Sequence, residues 1–256
     1  MKLNISPIPA LSDNYIWCLS IADKAVVVDP GESAPVLAYL KQNNLKLDAI
    51  IVTHRHHDHI NGIPELTNAF PDIKVHGPET PRITTITDPV WDGDTVSLFD
   101  DQLLLSVIEV PGHTLDHVAY FNEAYLFCGD TLFSAGCGRM FEGNPEQFWQ
   151  SLKKLSSLGE DIKVYCTHEY TQANLKFAEY LEPDNLDIKT HIRWVNEKRQ
   201  LNLPSLPSTI SKERQINPFL RCHLPEFVES IKKILNINNH NATAVFAAVR
   251  AAKDNF

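Results

Sequence analysis

The stretch Thr53-His54-Arg55-His56-His57-Asp58-His59 packs four imidazoles and a carboxylate into six consecutive residues, directly after the β-branched run AIIVT (49–53). A strand turns alternate residues to opposite faces, so such a run suits a turning loop better than a sheet. Neutral imidazole and carboxylate are the ligand types of Zn²⁺, Fe²⁺ and Mn²⁺. The spacing H-x-H-x-D-H supplies a ligand pair to each of two ions, His54 with His56 and Asp58 with His59. Three further candidates stand where apolar runs end: His113 after LLLSVIEV (103–110), Asp130 after AYLFC (124–128) and His168 after KVYCT (163–167). Ligand sites of α/β proteins gather beyond the carboxyl ends of strands, so four such ends can meet in one cleft. One histidine after a strand is ordinarily a surface or hydrogen-bonded residue, and His76, His191, His223 and His240 are read that way. His57 falls outside the pattern and is read as structural support. Four strand-end positions together point to a metal centre.

The elements that position these residues alternate in the first two thirds of the chain. YIWCL (15–19), AVVVD (25–29), IKVH (73–76), TVSLF (95–99), HVAYF (117–121) and the runs above read as strands. Helices are expected over 33–44, ahead of Phe70, and over 145–157, where Asn144 to Gln147 reads as a capping box. After Glu169 the texture turns helical, near 171–182, 187–201, 225–236 and 242–252, with LPSLPS (203–208) and NINNHN (236–241) as separators. The chain is therefore divided into residues 1–169, mixed α and β, and residues 170–256, all helical. The formal charge of −9 opposes a nucleic-acid partner. Five cysteines without a C-x-x-C pair argue against a disulfide framework. Pro7, Pro9, Asp13 and Asn14 interrupt any leader-like apolar run, and no stretch reaches the roughly 18 apolar residues of a membrane span. A soluble, cytoplasmic monomer without a membrane partner is expected.

The motifs THRHHDH, PGHT, CGDT and CTHEY together resemble the metallo-β-lactamase superfamily. Within it, NYIW, VVDPGE, LFCGDTLFSAGCGRMFEG, INPFLR and the final R-x-x-K-D resemble glyoxalase II, the hydroxyacylglutathione hydrolases. The resemblance spans essentially the whole chain. It implies an α+β fold, a four-layer αββα sandwich followed by an all-helical C-terminal domain that binds substrate. It also implies that His54, His56 and His113 hold one metal, that Asp58, His59 and His168 hold a second, and that Asp130 bridges both. Two divalent ions per chain are implied, zinc first, with iron or manganese served by the same ligand types. Asp29 matches an acidic position of the superfamily; as the residue before Pro30 it reads equally as a turn former.

Two such ions share a water and lower its pKa from 15.7 to about 7, which supplies a bridging hydroxide without a protein base. Asp58 and Asp130 are the carboxylates that would serve the chemistry beside it. The implied reaction cleaves S-D-lactoylglutathione, or another S-2-hydroxyacylglutathione, to glutathione and D-lactate or its analogue, the second step of methylglyoxal detoxification. A thiol of pKa about 8.5 leaves with little help from an acid. Arg139, Phe141, Tyr170, Arg250 and Lys253 are the implied substrate contacts; Arg250 and Lys253 share a helix face and can grip one carboxylate. At the end of a helix the same two cations would also suit the macrodipole. Two positions depart from the family, Phe141 for the usual Tyr and Asp116 for the usual Gly, and both bear on substrate affinity. Cys128 and Cys137 read as packing residues. The competing readings are a mono-iron glutathione persulfide dioxygenase and a non-catalytic metal-binding protein. A β-lactam hydrolase is disfavoured by His59 and by the absence of a leader, and a nuclease by the acidic surface.

Overall fold

Short β-branched runs punctuated by Pro, Gly and Asn dictate strands, and a computed structural model, which describes residues 2–237 and 241–256, places them in two compact units. The first unit comprises the chain up to Glu109 together with Asp116–Gly129; the second comprises Val110–Leu115 with Asp130–Phe256. His240 and part of the NINNHN separator lie outside the described residues.

In chain order the first unit contains β1 (Asn4–Ala10), β2 (Asn14–Ile21), β3 (Lys24–Val28), α1 (Ser33–Asn43) and β4 (Lys46–Ile51). The one-turn α2 (His57–Ile60), α3 (Ile63–Ala69), β5 (Lys74–Pro78), β6 (Asp88–Val90), β7 (Thr95–Leu98), β8 (Leu103–Glu109), β9 (Val118–Phe121) and β10 (Tyr125–Gly129) complete it. One sheet runs β1-β2-β3-β4-β5-β6, antiparallel over its first three strands and parallel from β3 onward. Four antiparallel strands in the order β10-β9-β8-β7 form a second layer. Val36 and Leu40 of α1 and Ile63 and Leu66 of α3 pack on Ile16, Cys18, Val27, Ile50 and Val75, all buried. Alternation turns Trp17, Leu19, Val26, Val28 and Ile51 to the opposite face, and they too are buried, so this sheet is covered on both sides.

β1 was not among the expected strands, and it carries Pro7 and Pro9. It lies at the sheet edge, paired only with β2, where a missing N–H costs no ladder bond.

The second unit contains β11 (Leu132–Phe133), β12 (Gly136–Cys137), α4 (Pro145–Ser156), β13 (Lys163–Cys166), α5 (Thr171–Leu181) and α6 (Leu186–Gln200). Then follow β14 (Ser208–Thr209), α7 (Ile210–Ile216), a 3₁₀ turn (Pro218–Leu220), α8 (Pro225–Lys232) and α9 (Ala242–Asp254). The expected capping box of α4 is present: Asn144 Oδ1 accepts from Gln147 N at 3.0 Å, and Gln147 Oε1 accepts from Asn144 N at 3.1 Å. The tight hairpin β11–β12 and helix α7 went unread, the first too short for periodicity and the second hidden behind LPSLPS.

Candidate metal centre

The seven candidate ligands divide between the units, with His54, His56, Asp58 and His59 in the first and His113, Asp130 and His168 in the second. In the first unit the loop after β4 is pinned before it turns. Val52 N donates to His76 O at 2.8 Å, and Thr53 O accepts from Val118 N at 2.9 Å. The turn at Gly31 packs so tightly on this loop that a Cβ there would stand 1.9 Å from the Asp58 carbonyl oxygen.

Behind the loop sits the Asp29 carboxylate, 1% exposed, at a residue held in the left-handed region (φ 52°). It accepts from Thr53 N at 2.7 Å and from Thr53 Oγ1 at 2.7 Å, and it meets His59 Nδ1 at 3.0 Å. The single Thr53 hydroxyl proton is thus committed to Asp29, so His54 Nδ1, 3.1 Å from Thr53 Oγ1, must donate to it. Both His54 and His59 thereby carry their proton on Nδ1 and leave the Nε2 lone pair for a metal. His54 Nε2 faces His56 Nδ1 at 3.0 Å, and His59 Nε2 faces Asp58 Oδ2 at 3.4 Å. These are the two pairs the spacing suggested. Asn14 Nδ2 donates to Asp58 Oδ2 at 3.1 Å, and the buried His117 ring stacks on His54 at 4.6 Å. His57 is exposed and meets Asn61 Oδ1 at 3.2 Å through Nδ1.

In the second unit Asp130 stands between two imidazoles. Its Oδ2 lies 3.4 Å from His113 Nε2 and its Oδ1 3.4 Å from His168 Nε2. His113 Nδ1 donates to Arg139 O at 2.7 Å, which again leaves Nε2 with the lone pair. The His168 ring is stacked on Tyr170, 4.6 Å between centroids at 3°. These donor sets fit a divalent metal: His54, His59 and His113 are buried with Nε2 left unprotonated, His168 is buried and His56 half-buried, and Asp58 and Asp130 face the imidazoles.

The expected substrate contacts all lie in the second unit. Phe141 is 61% exposed, with its ring 5.3 Å from that of His113. Arg139 is exposed, its Nε 3.9 Å from Asp254 Oδ1. Arg250 is buried: its Nη1 donates to Cys137 O at 3.0 Å and its Nη2 to Asp254 Oδ1 at 2.9 Å. Lys253 Nζ donates to Ala173 O at 3.3 Å and lies over the Phe177 ring, and burial is the main cause that lowers its pKa from the usual lysine value. At Asp116 the backbone is not left-handed, so the loss of glycine there brings no strain. All five cysteines are free and buried, and burial pushes the Cys137 thiol up to about 11, which fits a packing role.

Asn14, Thr53 and His117 were not assigned from sequence. Asp29 carried a signal, an acidic residue closing a buried strand; no spacing rule marks Asn14.

The family model of the metallo-β-lactamase superfamily matches residues 14–168, and that of the hydroxyacylglutathione hydrolase C-terminus matches residues 169–256. A hydroxyacylglutathione hydrolase of Vibrio parahaemolyticus is 49% identical over 255 residues, covering 99% of this chain and 100% of that one. One of Nitrosomonas eutropha is 46% identical over 254 residues, 99% of each chain. A crystal structure of ETHE1 from Myxococcus xanthus aligns with a TM-score of 0.66 at 24% identity, over 99% of this chain and 100% of that one. A metallo-β-lactamase of Staphylococcus aureus aligns at 0.61 and 17%, over 97% of this chain and 72% of that one. At such identities the structural likeness is one of fold.

Proposed function

The chain has the metallo-β-lactamase fold and belongs to the hydroxyacylglutathione hydrolase family, and on that premise we propose that it hydrolyses S-2-hydroxyacylglutathione thioesters, S-D-lactoylglutathione foremost. The products are glutathione and a 2-hydroxy acid, D-lactate in that case. The observation that carries the reading is the likeness to hydroxyacylglutathione hydrolases from end to end. A zinc pair would be held by His54, His56 and His113 on one side and by Asp58, His59 and His168 on the other, with Asp130 common to both. Bound there, divalent ions supply an acidified water and a Lewis acid for the thioester carbonyl.

The chain's own residues do the rest. Asp29 and Thr53 fix the proton on Nδ1 of His59 and His54, and the Arg139 carbonyl does so for His113. Asp58, steadied by Asn14, and Asp130 would provide carboxylates to the metals and to the water they acidify. Arg139 and Lys253 offer cations to the carboxylates of the glutathione moiety, with Arg250 behind them. Phe141 and Tyr170 offer ring faces to its peptide. In hydrolysis the water oxygen bonds to the acyl carbon, the C–S bond breaks, and the 2-hydroxy acid leaves as carboxylate and glutathione as thiolate; a thiol of pKa about 8.5 needs no strong general acid. In this reading residues 1–169 form the catalytic domain and residues 170–256 the substrate-binding domain of a cytoplasmic monomer that uses no nucleic acid or membrane. No helix among the described residues is long and apolar enough to cross a membrane.

Thiol release from S-lactoylglutathione by metal-replete protein, with a chelated control, tests the proposal. Chelator-sensitive release of glutathione is expected. Metal binding without thiol release would leave a non-catalytic metal protein, and oxygen consumption with one iron per chain would leave a persulfide dioxygenase.

A further inference from the structure

The eight residues between Asp130 and Arg139, Thr131 through Gly138, carry the hairpin β11–β12 and link two parts of the candidate metal centre, since Asp130 is a candidate ligand and the Arg139 carbonyl orients His113. Apolar packing alone does not fix this hairpin. Side chains from helices far along the chain bond its backbone groups one by one. Asn217, just past α7, donates through Nδ2 to Phe133 O at 3.0 Å and to Gly136 O at 2.9 Å. Asn174 of α5 donates to Ser134 O at 3.0 Å. Glu213 of α7 accepts from the Ala135 amide at 2.8 Å through Oε2, the same oxygen that Asn217 reaches at 3.1 Å. Its Oε1 accepts from Ser208 Oγ at 2.5 Å.

Glu213 and Asn217 are both fully buried. Ala135 holds a left-handed backbone, φ 55°, which an L residue adopts at a cost unless its surroundings dictate it. Here it lies in the two-residue turn between Phe133 and Gly136, and the hydrogen bond from its amide to Glu213 holds that turn in place. Burying a carboxylate for packing alone is a poor use of the position, because an apolar side chain would fill the same space without desolvation. A network of this kind instead fixes direction, since each bond loses strength within a few tenths of an ångström of displacement.

We propose that Glu213 and Asn217 are positioning residues for the metal centre: they template the 132–137 hairpin and so set where Asp130 and the Arg139 carbonyl, and with it His113, stand. The role rests on the hydrolase reading for its catalytic consequence and on geometry for its metal consequence. Neither residue touches a candidate ligand, so their influence passes through the hairpin backbone.

The test uses the full chain and compares Glu213→Met, Glu213→Gln, Asn217→Ala and Asn174→Ala. Zinc affinity is measured by chelator competition, kcat and KM with S-lactoylglutathione, and Tm on metal-free protein. Glu213→Met and Asn217→Ala should weaken zinc binding and lower kcat by about 10–100-fold, the usual scale for groups that orient ligands. KM should change less than kcat, by about threefold or less, because neither Glu213 nor Asn217 is itself a contact to the glutathione moiety. Glu213→Gln should behave like the parent protein, since an amide oxygen keeps the Ala135 bond while the Ser208 hydroxyl rotates to accept from the new NH₂. Asn174→Ala, which removes one bond, should weaken zinc by about three- to tenfold. A lowered Tm with zinc affinity and kcat unchanged would make the network purely structural and overturn the proposal. If the first two variants do not fold, an unchanged zinc affinity in Asn174→Ala overturns it equally. A parent chain that binds zinc but releases no thiol sinks the hydrolase reading alone, and the positioning role is then judged on affinity.

Discussion

The two units build their shares of the ligand set in opposite ways. The first obtains four candidate ligands from one short loop, set by the end of β4 and by one carboxylate, Asp29, behind it. The second collects three from three separate loops, and side chains from α5, α7 and α9 tie the backbone near Asp130 and Arg139. Local construction is robust to distant change but sensitive to the few groups directly behind it. Dispersed construction spreads the same burden over many weaker ties, any of which fails by a smaller factor.

The sharpest way to break this contrast is Asp130→Ala. The carboxylate stands 3.4 Å from an imidazole on either side, so no neighbour replaces it. We expect metal content to fall from about two ions per chain toward one, and kcat/KM to fall by about 10³-fold or more. Elemental analysis and steady-state kinetics on the same preparation decide it, and full activity with one metal would refute the two-ion reading.

Asp29→Asn addresses the first unit. The amide keeps the shape but offers one acceptor where three donors converge, so the protons on His54 and His59 are no longer held at Nδ1. A loss of about 10–100-fold in zinc affinity is expected, read by chelator competition, with KM little changed. A smaller effect than that of Asn217→Ala would show that the compact loop is self-sufficient and that the contrast between the units is drawn the wrong way.

The same contrast explains what could be read from the residues. The His-rich loop announced itself because its candidate ligands are neighbours in sequence, and His54 lies beside His56 and Asp58 beside His59. The strands around it followed from β-branched runs and turn residues. His113, Asp130 and His168 were placed by their strand ends, and only a family resemblance gave them roles. Glu213 gave no signal, and Asn217 stood within INPFLR with no role attached: their partners include backbone groups some 80 residues away, which leave no mark in spacing or periodicity. The same blindness hid β1, whose prolines are tolerable only because the strand lies at an edge.

Arg250 and Lys253 sit three residues apart on α9 yet differ in setting, and separating them sharpens the contrast further. Arg250 is committed to the Cys137 carbonyl and to Asp254, whereas Lys253 lies at the rim of the aromatic pair Phe177 and Phe256. Arg250→Ala should therefore lower kcat by about tenfold as the 137–138 backbone loosens, with a fall in Tm. Lys253→Ala should raise KM by about three- to tenfold at constant kcat, the mark of uniform binding of a distant carboxylate. Matching KM effects in both variants, with kcat untouched, would return Arg250 to the substrate.

The smallest effect belongs to His57, inside the very loop that carries the first unit's candidate ligands. It is exposed, its Nδ1 meets the side chain of Asn61 at 3.2 Å, and α2 begins at this residue. Alanine is a better helix former than histidine, which offsets the lost surface contact. His57→Ala should leave zinc stoichiometry at the parent value and kcat/KM within about twofold, and Tm within about 1–2 °C. A loss above tenfold would mean that the ligand loop works as one indivisible unit, in which even the outward residue sets the inward ones. The first unit would then depend on dispersed contacts as the second does, and the distinction between them would disappear.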